Sequence, residues 1–149
     1  MSGGFGGSTQ GAERIPDFDP GDCFGEDLGK TGNLWTIENP RSSFLFQQPS
    51  IVTLMKSSGN HIADLDQCMY GLTFEDASAT EFCKKPTRIL GNFEGLSRLG
   101  ITCDKNHTHI HAIGGYRSRS GWRKRSSEAA AYPPTLCRSW ARLVAEIFA

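Results

Sequence analysis

Leu34-Trp35-Thr36-Ile37-Glu38-Asn39-Pro40 reads as a short strand stopped by its proline. Proline brings no backbone N–H to a ladder and biases the residue before it away from helix. Ser42 or Ser43 then caps a short helical stretch through Phe44-Leu45-Phe46, and Pro49 suits the first turn of a second helix, Ser50 to Met55. Ile51, Val52, Leu54 and Met55 give that helix a broad apolar face, and Gly59-Asn60 breaks it. From His61 to Tyr70, Ile62, Asp64 and Asp66 alternate with Ala63 and Leu65, the period of a strand. Strand, helix, strand predicts an α/β layer.

Beyond a polar insert over 72–82, Thr87-Arg-Ile-Leu-Gly91 reads as another strand and Phe93 to Leu99 as a short helix. Ile101-Thr-Cys103 and His109-Ile-His-Ala-Ile113 read as strand pieces around the turn Asp104-Lys-Asn-His107. Residues 114–126 form a Gly/Ser/Arg-rich loop. Pro133 and Pro134 open an amphipathic helix with Leu136, Trp140, Leu143, Val144, Ile147 and Phe148 near one face. This amounts to about three to five strands, fewer than a complete doubly wound sheet. The glycine-rich stretch 1–32 holds few apolar residues and is expected to be a disordered lead-in to one domain, 33–149.

The chain has 149 residues, enough for one domain, with 38% hydrophobic and 21% charged residues. No run approaches the roughly 20 apolar residues of a membrane span, and the N-terminus has neither the basic nor the apolar part of a secretory signal. The expectation is an intracellular protein that takes no membrane as partner. Net charge is zero, yet residues 84–125 carry ten bases against Glu94 and Asp104, a net of +8. Such a segment suits a polyanion, DNA above all, although a solvated basic loop has the same composition. Five cysteines at irregular spacing, without a CxxC pair, argue against a disulfide framework.

Four features carry chemistry. Glu38 lies at the end of a strand, where α/β sheets place ligands; the competing reading is a turn cap. Next come Asp66-Gln67-Cys68-Met69-Tyr70-Gly71 and, after the insert, Lys84-Lys85-Pro86-Thr87-Arg88-Ile89-Leu90-Gly91. The third is Cys103…His107-Thr108-His109, followed by His111. On a strand the three histidines share a face, and Cys103, His107 and His109 would ligate zinc, with Cys68 or Cys83 as a fourth ligand. C-x3-H-x-H is not a standard finger spacing, and alternating histidines also simply line polar faces. The fourth is Arg117-Ser-Arg119-Ser-Gly-Trp122-Arg123-Lys124-Arg125, whose bases would grip phosphates while the indole stacks.

In order along the chain, Glu38-Asn39-Pro40 with Ser43 and Phe46, Gln67-Cys68-Met69-Tyr70-Gly71, Lys85-Pro86-Thr87-Arg88, Cys103…His107-Thr108-His109 and Tyr132-Pro133 resemble the C-terminal half of the cytosine-5 DNA methyltransferases. The likeness is closest to mobile-element-associated methyltransferase-like reading frames and covers about residues 33–137. It implies a partial Rossmann-like, S-adenosylmethionine-dependent methyltransferase-like sheet with flanking helices. It implies Glu38 and Asn39 as catalytic residues, Glu38 contacting the target base, and Lys84, Lys85 and Arg88 in a basic segment facing DNA. It further implies parallel pairing between the strands of Glu38 and Arg88.

The family's glycine-rich cofactor loop and Pro-Cys nucleophile would lie before residue 1. Cys23 follows an aspartate rather than a proline and does not fit that nucleophile. The resulting expectation is a truncated, inactive methyltransferase-like module that binds no cofactor alone and keeps nucleic-acid contact through Lys84, Lys85, Arg88, Arg117, Arg119, Arg123, Lys124 and Arg125. Two alternatives stand beside it. One is a fragment completed by a polypeptide that supplies the S-adenosylmethionine-binding half; the other is a small zinc-stabilised nucleic-acid-binding module.

Overall fold

The computed structural model describes residues 32–149, so the lead-in and Cys23 lie outside the described residues. Three strands form the main sheet: β1 (Thr36–Pro40), β2 (His61–Asp66) and, between them, β4 (Pro86–Gly91). β4 runs antiparallel to both neighbours, pairing Asn39 with Arg88 and Arg88 with Asp64. The outer strands therefore run in the same direction and are joined by α1 (Pro49–Lys56), a β-α-β unit split by a strand from later in the chain. Each proline sits where a missing N–H is tolerated, Pro40 ending an edge strand and Pro86 opening β4.

The alternation of β4 decides what covers each face. Ile89 faces a core built from Ala63, Leu65, Tyr70, Leu96, Leu99, Leu136 and Leu143, closed by α3 (Pro134–Ile147). Leu90 faces the other way, onto Phe46, Ile51 and Leu54 from α1 and the 3-10 turn Phe44–Gln47. Covered on both faces, β4 is correspondingly the most buried of the three strands. A third, smaller cluster of Leu72, Phe74, Cys83, Tyr116 and Ala129 lies under the polar insert. There β3 (Glu81–Phe82) pairs with β5 (Thr108–His109) in parallel, and β6 (Gly115–Ser118) forms a hairpin with β7 (Gly121–Lys124). α2 (Arg125–Glu128) follows directly.

The mixed α/β expectation holds. In the main sheet, however, no two neighbours are parallel, so the pairing expected between the strands of Glu38 and Arg88 is antiparallel instead. Other differences have local causes. The strand from His61 stops at Asp66 because Gln67–Tyr70 turns as a 3-10 helix, closed by Gly71 at φ 81°. Phe93–Leu99 shortens to a 3-10 turn over Leu96–Leu99, and Ile101–Cys103 is coil. Residues 114–126 are hairpin rather than loop, while Ile147 and Phe148 project outward, so the apolar stripe of α3 is core only as far as Val144. Ser43 is the capping serine: its hydroxyl accepts the Leu45 N–H at 3.2 Å. No helix among the described residues is long and apolar enough to cross a membrane.

Gly91 closes β4 in a position with no room for a side chain. A Cβ there would stand 2.8 Å from the Trp35 carbonyl oxygen and 2.9 Å from the Thr36 methyl. Gly91→Ala is expected to cost about 1–3 kcal/mol, read as a lower urea midpoint at unchanged slope.

Candidate metal centre and basic surface

Cys68, Cys103, His107 and His109 converge at the end of β2, their ligand atoms all within 4.8 Å of one another. Cys68 is placed by the 3-10 turn that follows β2 and is 4% exposed. Cys103 is held beside it by Asp66, the last residue of β2, whose Oδ2 accepts the Cys103 N–H at 2.9 Å. The next three residues make a tight turn. Lys105 takes φ 66°, Asp104 accepts the Asn106 N–H at 3.0 Å, and the Lys105 N–H points at the Cys103 sulfur at 3.4 Å. β5, anchored on β3, then positions His109, with His107 just ahead of it in the turn.

Cys103 Sγ lies 3.6 Å from His107 Nε2 and 3.4 Å from His109 Nε2, and the two Nε2 atoms are 3.1 Å apart. A tetrahedral zinc, with Zn–S of about 2.3 Å and Zn–N of about 2.0–2.1 Å, sets its ligand atoms about 3.3–3.8 Å apart. The two sulfur–nitrogen distances fall within that range and the Nε2–Nε2 distance lies just below it, while Cys68 Sγ stands within 4.8 Å of the other three. Burial, followed by the charge of His107, holds His109 below its ordinary pKa, which favours the neutral imidazole a metal needs. Burial, reinforced by Cys103, pushes the Cys68 thiol up to about 12. A bound cation reverses that preference by stabilising the thiolate directly.

The sequence left the fourth ligand open between Cys68 and Cys83. Cys68 is the fourth member of the cluster, and Cys83 is not, since it is buried in the core under the insert. His111 stays exposed and outside the cluster because regular pairing ends at His109.

Glu38 and Asn39 occupy opposite faces of β1 and do not form one site. Glu38 lies on the α3 side, where the Tyr132 hydroxyl donates to its Oε2 at 2.5 Å. Burial, then Glu38 itself, raises the Tyr132 pKa, so the phenol keeps its proton. Lys85 lies over the Tyr132 ring, 5.6 Å from its centroid, and its ammonium donates to the Ala129 carbonyl at 2.7 Å. Tyr132 entered the sequence reading only as part of a motif, and nothing in its spacing marked it as the partner of Glu38.

Arg88 lies on the α1 side, gripping Asp64 through two hydrogen bonds of 2.7 Å and stacked 5.4 Å from the Phe46 ring centroid. The bases proposed for nucleic acid thus divide. Arg88 is engaged with Asp64, Arg123 with Glu128 at 3.3 Å, Arg125 with Asp76, and Lys84 lies 4.0 Å from Asp66. The side chains of Arg117, Arg119 and Lys124, all exposed on the β6–β7 hairpin, make no ion pair among the described residues.

No family model matches the sequence, and neither the curated proteins nor the solved structures yield a similar protein. The geometry stands alone. The Asp64–Arg88 pair supplies a check on it. The Arg88 hydrogen bonds hold the Asp64 carboxyl below its usual 3.8, so the pair stabilises the fold above that value and fades as pH falls through the lowered one. Asp64→Asn should cost about 1–2 kcal/mol at neutral pH, a partial figure because both groups are partly exposed. Its deficit should shrink below about pH 4, as followed by denaturant titration across pH.

Proposed function

We propose that residues 32–149 form a zinc-stabilised nucleic-acid-contact module, in which Cys68, Cys103, His107 and His109 hold the ion. The observation that carries this reading is the convergence of two sulfurs and two imidazole nitrogens within 4.8 Å of one another, those of Cys103, His107 and His109 lying 3.1–3.6 Å apart. The ion's part is structural, because four protein ligands fill a tetrahedral shell and leave no open position for a substrate. Asp66 supports it from behind by fixing the Cys103 backbone. The nucleic-acid part rests on the hairpin, which presents Arg117, Arg119 and Lys124 to solvent.

Purified protein is expected to carry one equivalent of zinc by elemental analysis. Cys103→Ser or His107→Ala should lose it, and Cys83→Ser should retain it. A chelator should lower the melting temperature of the wild type and leave those two metal-site variants unmoved. Retention of zinc by Cys103→Ser would remove the assignment.

A second reading is supported by the order of elements, although the antiparallel pairing of β1 with β4 departs from the parallel pairing it implies. β1 closes on Glu38-Asn39-Pro40, α1 follows, β2 runs to Tyr70-Gly71, and Lys84-Lys85-Pro86 leads into β4, which ends at Gly91. That is the order in the rear half of a cytosine-5 methyltransferase-like domain, the resemblance drawn from the sequence. On this reading a second polypeptide supplies the S-adenosylmethionine-binding half, and Glu38 meets a target base once Tyr132 has withdrawn. Isothermal titration of the chain alone with S-adenosylmethionine is expected to show no binding at millimolar ligand. Measurable binding would establish a cofactor site within this chain and remove the need for a partner.

A further inference from the structure

We infer that the β6–β7 hairpin is a stacking platform for unpaired bases, so that the module takes single-stranded polynucleotide in preference to duplex. The inference rests on the nucleic-acid part of the function proposed above and goes further by naming the strand state and the residue that reads it. Trp122 is 71% exposed, although aromatic side chains of this size are normally well covered. Its indole lies over Gly115: a Cβ on that glycine would come within 2.8 Å of Cζ2 and 2.9 Å of Cε2. The absence of a side chain at 115 lets one side of the ring rest on backbone and leaves the other to solvent. Arg117 is its cross-strand partner, and Lys124 follows two residues on, so both point to the same side of the ribbon as the indole.

The opposite side of the hairpin is fixed. Tyr116 is buried and donates to Glu128 at 2.6 Å, and Arg125 is held by Asp76. At the tip, Ser118 donates to the Gly121 carbonyl at 2.9 Å and accepts the Ser120 N–H at 3.2 Å. The ribbon is anchored on one face and bare on the other. An open concavity of about 740 Å³ lies beside Trp122 and Lys124, lined also by Ser120, Arg123, Ser127 and Glu128, with Arg117 outside it.

The chemistry selects the occupant. An exposed ring face accepts a nucleobase, whatever its identity, while Arg117 and Lys124 on either side meet the flanking phosphates. In a duplex the bases are already stacked and the ring face has nothing to take. A lipid surface suits the site less well, because among the paired residues of β6 and β7 Trp122 alone is apolar on that face and rests against the ribbon rather than projecting from it.

The test uses the whole metal-loaded chain, fluorescein-labelled oligo-dT and oligo-U of twelve nucleotides, a duplex of equal length, and anisotropy at two salt concentrations. Trp122→Ala should weaken single-strand binding about tenfold, Trp122→Phe should recover most of it, and duplex binding should change little. Arg117→Ala with Lys124→Ala should weaken every oligonucleotide and flatten the salt dependence. Because Trp122 is exposed, its variants should retain the wild-type circular dichroism and melting temperature, which separates a binding loss from misfolding. Equal loss on duplex and single strand, or no loss for Trp122→Ala, would overturn the platform while leaving general nucleic-acid contact standing. If no oligonucleotide binds the wild type, both the contact reading and the platform fail. Trp122-dependent binding to vesicles of anionic phospholipid without oligonucleotide binding would assign the hairpin to a membrane surface instead.

Discussion

The segment from Gly100 to Gly114 contains only the two-residue strand β5, and almost everything on one side of the molecule depends on how that segment is tied down. Backbone pairing to β3 is too short to hold it, so side chains from the end of β2 do the rest. Asp66 receives the Cys103 N–H while its other oxygen takes Arg41 at 3.1 Å, and Cys68 faces Cys103 and the two histidines. A metal joining four residues up to 41 positions apart would close this loop far more firmly than hydrogen bonds exposed to water. With the segment fixed, β3, the hairpin and α2 have a surface on which to pack.

Much of the charge that makes this half of the sequence basic is used internally. Arg88 and Asp64 bridge two strands and cover Phe46, and Arg125 reaches Asp76 while stacking near Phe74 and Tyr116. Arg123 is engaged by Glu128. A net charge counted along the chain therefore overstates the positive surface, to which the outer side of one hairpin contributes Arg117, Arg119 and Lys124. Partly buried pairs of this kind lock neighbouring elements in register and contribute only modest net stability.

Local patterns were legible where one residue type has one physical use. Pro40 and Pro49 bounded their elements, Ser43 capped its turn, and the alternation from His61 marked a strand as far as Asp66. Three members of the Cys/His cluster were visible because they crowd into seven residues. The fourth was left between Cys68 and Cys83, since only the three-dimensional path of the chain puts one beside Cys103 and the other under Tyr116. Strand direction was the larger gap. A run such as Thr87-Arg-Ile-Leu-Gly91 has the same composition whichever way it enters a sheet, so antiparallel insertion between β1 and β2 left no mark on the sequence. The hairpin was hidden by its serines and glycines, which read as loop until the buried Tyr116 gives one face a reason to stay.

The late insertion of β4 has a consequence for how the chain reaches this state. β1, α1 and β2 emerge first, but the two strands share no hydrogen bond with each other and their common neighbour comes twenty residues after β2 ends. Until residue 91 is free, both strands carry open edges and the apolar residues of α1 have no strand to rest on. Closure then depends on pairings across intervening chain rather than on the zipping of adjacent hairpins, the kind of contact whose loop-closure cost slows folding.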